Sequence, residues 1–152
     1  MTVRSAQERR AHAERVFRHQ EGHVWVATAN GGGRAHLVPF SYAWIPEGIV
    51  ICTSPTSQTA RNLRETSTAK LAFGATHDVV LVTGRLAEVI DRGAGSDTAV
   101  LDDVFATQSD WDPRTSSGVF SYFVIGLRQV DVWGPEEEYA DRVVMRSGEW
   151  LA

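Results

Sequence analysis

The spacing of apolar positions changes along the chain, and each change marks an element. Residues 5–20 carry dense Glu, Arg and Ala with Ala13, Val16 and Phe17 at helical spacing, which predicts a short amphipathic helix. Residues 23–29 (HVWVATA) are β-branched and aromatic and read as a strand. Asn30, Gly31, Gly32 and Gly33 follow as a turn that reaches positive φ without steric cost. Residues 34–44 (RAHLVPFSYAW) continue as a second strand. Pro39 removes a ladder donor within it, so this position belongs at a bulge, at a sheet edge or where the backbone faces a ligand.

A turn at Pro46, Glu47 and Gly48 leads into a third strand over residues 49–53, then a hydroxyl-rich loop, then a short helix over residues 60–64. Strands resume at residues 69–74 and 78–90. Gly93 and Gly95 break the pattern, and Ser96 is a candidate N-cap for a helix whose apolar face is Val100, Leu101, Val104 and Phe105. Residues 110–113 (DWDP) end that helix. Residues 119–133 read as a long strand, and residues 142–151 as a terminal hairpin turning at Ser147 and Gly148. Six or seven strands joined mostly by tight turns predict a mainly β fold, an antiparallel barrel with helical additions. The helices are too sparse for a doubly wound parallel sheet.

At 152 residues the chain fits one domain, read as spanning residues 1–152, and its 43% hydrophobic and 22% charged content is ordinary globular usage. No apolar run approaches a bilayer span, and the charged first residues lack a secretory pattern, so a cytoplasmic protein without membrane contact is expected. A net charge of -4 with scattered basic residues argues against nucleic acid as a partner. Cys52 has no possible partner for an internal disulfide and sits in an apolar run, which reads as a buried, inert thiol.

The chemistry concentrates between Thr53 and Asn62. Thr53, Ser54, Thr56, Ser57 and Thr59 precede or open a helix with Arg61 and Asn62 in its first turn. Unpaired N–H groups at a helix N-terminus, hydroxyls and a guanidinium together suit a phosphate. The plainer alternative is that Ser57 only caps the helix and Arg61 is a solvated charge.

The order of VWVATAN, GRAHLVPFSYAW, GIVICTS, QTARNLRE, AKLAFG and DVVLVTGRLAEV resembles the pyridoxamine 5'-phosphate oxidase-like split β-barrel superfamily of flavin and deazaflavin oxidoreductases. The resemblance covers roughly residues 24–89, and the tail from residue 130 onward is also similar to small members. It implies a homodimer of split barrels holding FMN, or alternatively the deazaflavin coenzyme F-420, in a groove at the subunit interface. On that implication the phosphate rests against Ser57, Thr59, Arg61 and Asn62, and the ring lies along His36, Leu37, Val38, Pro39, Phe40 and Thr53. Thr59 departs from the pattern, since many relatives carry Lys or Arg there. The arginine-rich C-terminal substrate motif of true pyridoxamine phosphate oxidases is missing, so that reaction is not expected.

The resulting expectation is a flavin- or deazaflavin-dependent oxidoreductase passing a hydride to a small-molecule substrate, with no catalytic side chain assigned. A non-catalytic flavin- or haem-binding protein of the same fold is the alternative. His19 and His23 are spaced for a metal on a helix, but the helix ends between them and no cysteine or carboxylate cluster joins them, so no metal is expected. Glu136, Glu137 and Glu138 read as a solvated loop. Trp25, Trp44, Trp133 and Trp150 are candidates for ring stacking, with core packing the default for each.

Overall fold

A computed structural model describes residues 1–18, 22–93 and 97–152. Helix α1 spans Ala6–Arg18 and turns Ala13 and Phe17 into the core, as its period requires. Strand β1 is Val24–Ala29, and the turn after it reaches φ +84 at Gly33. The stretch read as one strand is two, β2 at Ala35–Phe40 and β3 at Tyr42–Ile45, because the chain leaves the ladder at Ser41. Ser41 instead donates to Asp110 (2.5 Å), which also lies 3.2 Å from His23 Nε2.

Strand β4 is Gly48–Thr53 and helix α2 is Gln58–Thr66, two residues longer at each end than its apolar pattern suggests. Strands β5 (Thr68–Phe73) and β6 (Val79–Asp91) follow, then α3 (Ala99–Gln108) and β7 (Ser121–Trp133). The Ser96 cap and the His19 ligand expectations fall outside the described residues; α3 begins after Thr98, whose hydroxyl donates to Asp102 (3.0 Å). Short 3-10 turns at Pro113–Thr115 and Glu136–Asp141 were not legible in the pattern. The terminal hairpin is β8 (Val143–Arg146) and β9 (Glu149–Trp150).

All pairings are antiparallel, in one nine-stranded sheet of order β2-β1-β5-β6-β7-β4-β3, with β8 and β9 attached beside β7. The two longest strands, β6 and β7, form its spine. Their register slips between Thr83 and Gly84 and again between Leu86 and Glu88, leaving Arg128 of β7 and Ala87 of β6 unopposed. Bulges on opposite strands strengthen the twist and curl the sheet into a split barrel. β2 is an edge strand, which accommodates Pro39 without a lost ladder bond.

The curl makes two cores. The larger gathers α1, α2 and the inner face of the sheet, including Phe17, Val26, Ile49, Ile51, Leu63 and Leu71. The smaller places Phe105 of α3 against Val50, Cys52, Tyr122 and Val124. β4 is therefore buried on both faces, and its Ile and Val residues alternate between the cores. Burial pushes the Cys52 thiol up to about 12, so it is inert as expected. Gly48 opens β4 at φ +143, where a Cβ would collide with the Ile125 carbonyl oxygen.

Glu138 corrects the reading of residues 136–138 as a solvated loop. Its side chain is fully buried and accepts from Arg4 N–H (2.7 Å), Arg4 Nε (3.1 Å), Arg4 Nη2 (2.8 Å) and Gly134 N–H (2.9 Å). Arg4 also reaches Asp78 (3.0 Å), so this cluster staples the first residues to the β5–β6 and β7–β8 connections. A run of three acids hides such a residue, because only the fold decides which one faces inward.

The Arg4 hydrogen bonds hold the Glu138 carboxyl down at about 2, against an ordinary 4.5. Its folded-state value is depressed, so its stabilisation is complete above about pH 4.5 and is lost as pH falls toward 2. Glu138→Gln should cost roughly 2 to 3 kcal/mol at neutral pH and flatten that acid limb, as read by urea unfolding across pH.

Candidate functional site

Helix α2 exists where it does because Ser57 can cap it. Ser57 sits at φ -62, ψ 158, and its hydroxyl accepts from Ala60 N–H (3.1 Å) and from the Thr53 hydroxyl (3.1 Å), which ties the end of β4 to the helix start. The Ser57 carbonyl takes Arg61 N–H (3.0 Å). Gln58 and Thr59 N–H, the first two of the helix, have no partner among the described residues. Those groups carry the partial positive charge of the helix start.

Four polar side chains run inward from this point. The exposed Arg61 Nη2 donates to Gln58 Oε1 (2.8 Å), Gln58 Nε2 donates to Asn62 Oδ1 (2.8 Å), and Asn62 Nδ2 donates to the Thr28 hydroxyl on β1 (3.1 Å). Asn62 is fully buried and Thr28 nearly so. The chain of bonds fixes α2 against β1 and leaves Arg61 standing at the surface beside the helix start. Ser67 ends the helix in the left-handed region at φ 60.

Beside this N-terminus lies a cleft of about 400 Å³ lined by Asn30, Arg34, Ala35, His36 and Gln58. No carboxylate lines it. The Asn30 side chain accepts from Arg34 N–H (2.9 Å) and holds the turn, while the Arg34 guanidinium has no partner among the described residues. Arg64, by contrast, is engaged: it donates to the Pro55 carbonyl (2.7 Å) and lies over the Phe123 ring (5.3 Å).

The site residues named from the sequence therefore divide. His36, Thr53, Ser57, Thr59, Arg61 and Asn62 gather around the α2 N-terminus, although Thr59 and Asn62 are buried and Asn62 spends its amide on Thr28 and Gln58. Register settles the β2 residues. His36, Val38 and Phe40 pair with Thr28, Val26 and Val24 on the inward side, whereas Leu37 and Pro39 pair with Ala27 and Trp25 and face outward. Sequence reasoning passed over Thr28, Asn30 and Gln58. Asn30 carried a signal as the residue opening a glycine turn; Thr28 and Gln58 are polar positions whose meaning depends on how β1 and α2 pack.

The outward face holds Trp25 (50% exposed) and Leu37 (60% exposed), with Ala27, Pro39 and Ala72 in adjacent register positions. At one end of this face Trp25 shares a cleft with His12, Arg15 and Val16 of α1, and Lys70 stands opposite Ala27.

Residues 11–134 match the pyridoxamine 5'-phosphate oxidase family, and the chain belongs to it. No curated protein matches in sequence. Among solved structures, an F420 reductase is similar with a TM-score of 0.62 at 13% identity, covering 77% of this chain and 94% of its own. A heme-binding protein from Mycobacterium smegmatis is similar at 0.63 and 18% identity, covering 90% of this chain and 57% of its own. A pyridoxamine 5'-phosphate oxidase-related, FMN-binding protein from Nostoc punctiforme gives 0.55 at 16% identity, with 87% and 86% covered. These likenesses carry the split-barrel fold. No described helix is long and apolar enough to cross a membrane.

Replacing Asn62 with Ala would strand the Thr28 hydroxyl and the Gln58 amide and open a small void. Urea unfolding should show a loss of about 2 to 3 kcal/mol for Asn62→Ala. Arg61→Ala, at the exposed end of the same chain of bonds, should change stability by less than about 0.5 kcal/mol.

Proposed function

We propose that this protein is a flavin-type oxidoreductase that binds FMN by its phosphate at the α2 N-terminus and passes a hydride to a small molecule. The observation that carries the reading is the α2 start together with the cleft beside it: unpaired N–H groups at Gln58 and Thr59 and an exposed Arg61 on the helix, and a free Arg34 with no acid in the cleft lining. A phosphate fits that donor set. Family membership makes a flavin phosphate the first candidate. Among solved structures of this fold, one is described as FMN-binding and another as an F420 reductase.

FMN is favoured over deazaflavin F-420 by the supply of cations. The deazaflavin's longer acidic tail needs basic residues beyond the phosphate, and Arg64 is already held by Pro55 and Phe123. Arg34 and Arg61 suffice for one phosphate. The bound cofactor would supply the hydride chemistry. Ser57 and the Gln58 and Thr59 N–H groups would hold its phosphate, Arg61 and Arg34 would neutralise it, and His36 with the β2 backbone would border the ring. No side chain is required as an acid or base.

The exposed apolar residues on the outer face of β1 and β2 support a homodimer. A solvent-facing sheet side carrying Trp25, Leu37, Pro39 and several alanines is unusual for a monomer and suits a second copy of the chain. Such a pair would bury more than about 2,000 Å² in total. Sedimentation should show a dimer at micromolar concentration, and Leu37→Asp should shift it toward monomer. A wild-type monomer at that concentration would remove the dimer from this reading.

Titrated FMN should stabilise the protein by about 2.7 kcal/mol at a hundredfold excess over its dissociation constant. Arg61→Ala should weaken FMN by about 1.5 to 3 kcal/mol while leaving the fold intact. Equal affinity in wild type and variant returns Arg61 to a solvated charge. Turnover of a panel of acceptors with reduced FMN and with reduced F-420 separates the enzyme from a non-catalytic flavin or haem binder, which would bind without turnover.

A further inference from the structure

We propose that a second cleft, remote from the α2 N-terminus in its lining, binds a small aromatic monocarboxylate. The cleft has a volume of about 540 Å³, within the range of small-molecule sites, and shares no lining residue with the one beside His36. It opens for a reason visible in the sheet. β7 loses β4 as a neighbour after Ile125 and gains β8 only at Val130; the β7 bulge at Arg128 falls in that interval, and the β6 bulge at Ala87 lies at its edge, opposite Ile125 and Val124. The gap is floored by Gly126 and Gly148, which place no side chain in it.

Two tryptophans and two unpaired arginines meet in it. Trp44 and Trp150 line it together with Leu86, Leu127 and Met145. Arg85 and Arg128 also line it, and neither guanidinium has a hydrogen-bond or ion-pair partner among the described residues. Arg128 is the unopposed residue of the β7 bulge, and its Nη1 lies against Gly148. Bulges commonly re-aim a side chain toward a site. Here one carries a cation to the edge of a cleft that also holds Trp44 and Trp150.

The acids at the cleft do not cancel those cations. Glu14 is held by Arg10 (3.1 Å), which itself lies over the Trp150 ring (4.8 Å). Glu47 is the remaining carboxylate in the lining, so two free guanidinium groups face one free acid. A single negative charge on a flat apolar body matches that balance: a guanidinium fork pairs with a carboxylate, and the ring lies against the indole faces of Trp44 and Trp150 opposite those covered by Phe17 and Arg10. Inorganic phosphate offers nothing to the tryptophans.

The test uses the full chain and naphthoate as the probe, with neutral naphthamide and inorganic phosphate as comparators, followed by NMR of the tryptophan indole N–H signals. Naphthoate should bind saturably at concentrations on the order of millimolar or below and shift the Trp44 and Trp150 signals. Naphthamide should bind at least about tenfold more weakly, and phosphate should not displace the acid. The double variant Arg85→Gln, Arg128→Gln should lose about tenfold or more in affinity with an unchanged melting temperature, since both side chains are exposed. Non-saturable binding, equal binding of acid and amide, unaltered affinity in the double variant, or shifts centred on His36 would each overturn the proposal.

Discussion

The doubly bulged pairing of β6 with β7 is the constraint on which the rest of the molecule depends. A regular ladder of thirteen-residue strands would run on as a gently twisted ribbon. Two register slips on opposite strands bend it instead, so that one half carries β5, β1 and β2 while the other carries β4 and β3. The inner faces then meet around Leu71, Val82 and Ile125, and α1 and α2 close what the curl leaves open. Gly84 sits at a close approach within the curl, where a Cβ would collide with the Ile125 side chain. On the outer side of β1 and β2, Trp25 and Leu37 stay half or more exposed.

Curling also determines where polar chemistry is affordable. Helix α2 must leave β4 and lie back across β1, and a buried helix needs its ends and its inward polar groups paired. Ser57 meets the first need, and the bonds from Gln58 through Asn62 to Thr28 meet the second. That arrangement consumes Asn62 entirely for structure. It also fixes the helix start, with the Gln58 and Thr59 N–H groups, against β1. The same logic recurs under α3, where Asp102 accepts from Tyr122 (2.5 Å), Arg92 (2.7 Å) and Thr98 (3.0 Å). Burial alone would raise that carboxyl; these three donors hold it below its ordinary range.

The strands were legible because their alternation is strong, and β4 because five buried positions in a row leave no polar face. The break at Ser41 was not, since SYAW continues the pattern of AHLVPF and only the pairing with β4 rather than β1 separates them. Register was equally hidden: nothing local says that Leu37 faces out while His36 faces in, yet a slip of one residue would exchange them. The helix cap at Ser57 could be read from hydroxyls preceding an amphipathic segment. Glu138 could not, because burial of one acid among three is decided by Arg4, which lies far away in sequence.

The distribution of arginines ties these levels together. With Lys70 the sole lysine, nearly every cation in the chain is a guanidinium, suited to planar oxyanions. Several are neutralised internally: Arg4 by Glu138 and Asp78, Arg92 by Asp102, Arg114 by Asp103 and Asp112, Arg142 by Asp131. These bind termini, helices and turns to the sheet. Among the arginines with no carboxylate partner in the described residues, Arg34 and Arg61 stand at the α2 start and Arg85 and Arg128 at the gap beside the β7 bulge, whereas Arg9, Arg15, Arg18, Arg64 and Arg146 belong to neither group. An exposed cation costs the fold almost nothing, so its position is free to answer to a ligand rather than to stability. Both places are also where the backbone departs from regular pairing, at a helix N-terminus and at a bulge. It is there that polar main-chain groups and side chains converge on space the protein does not fill.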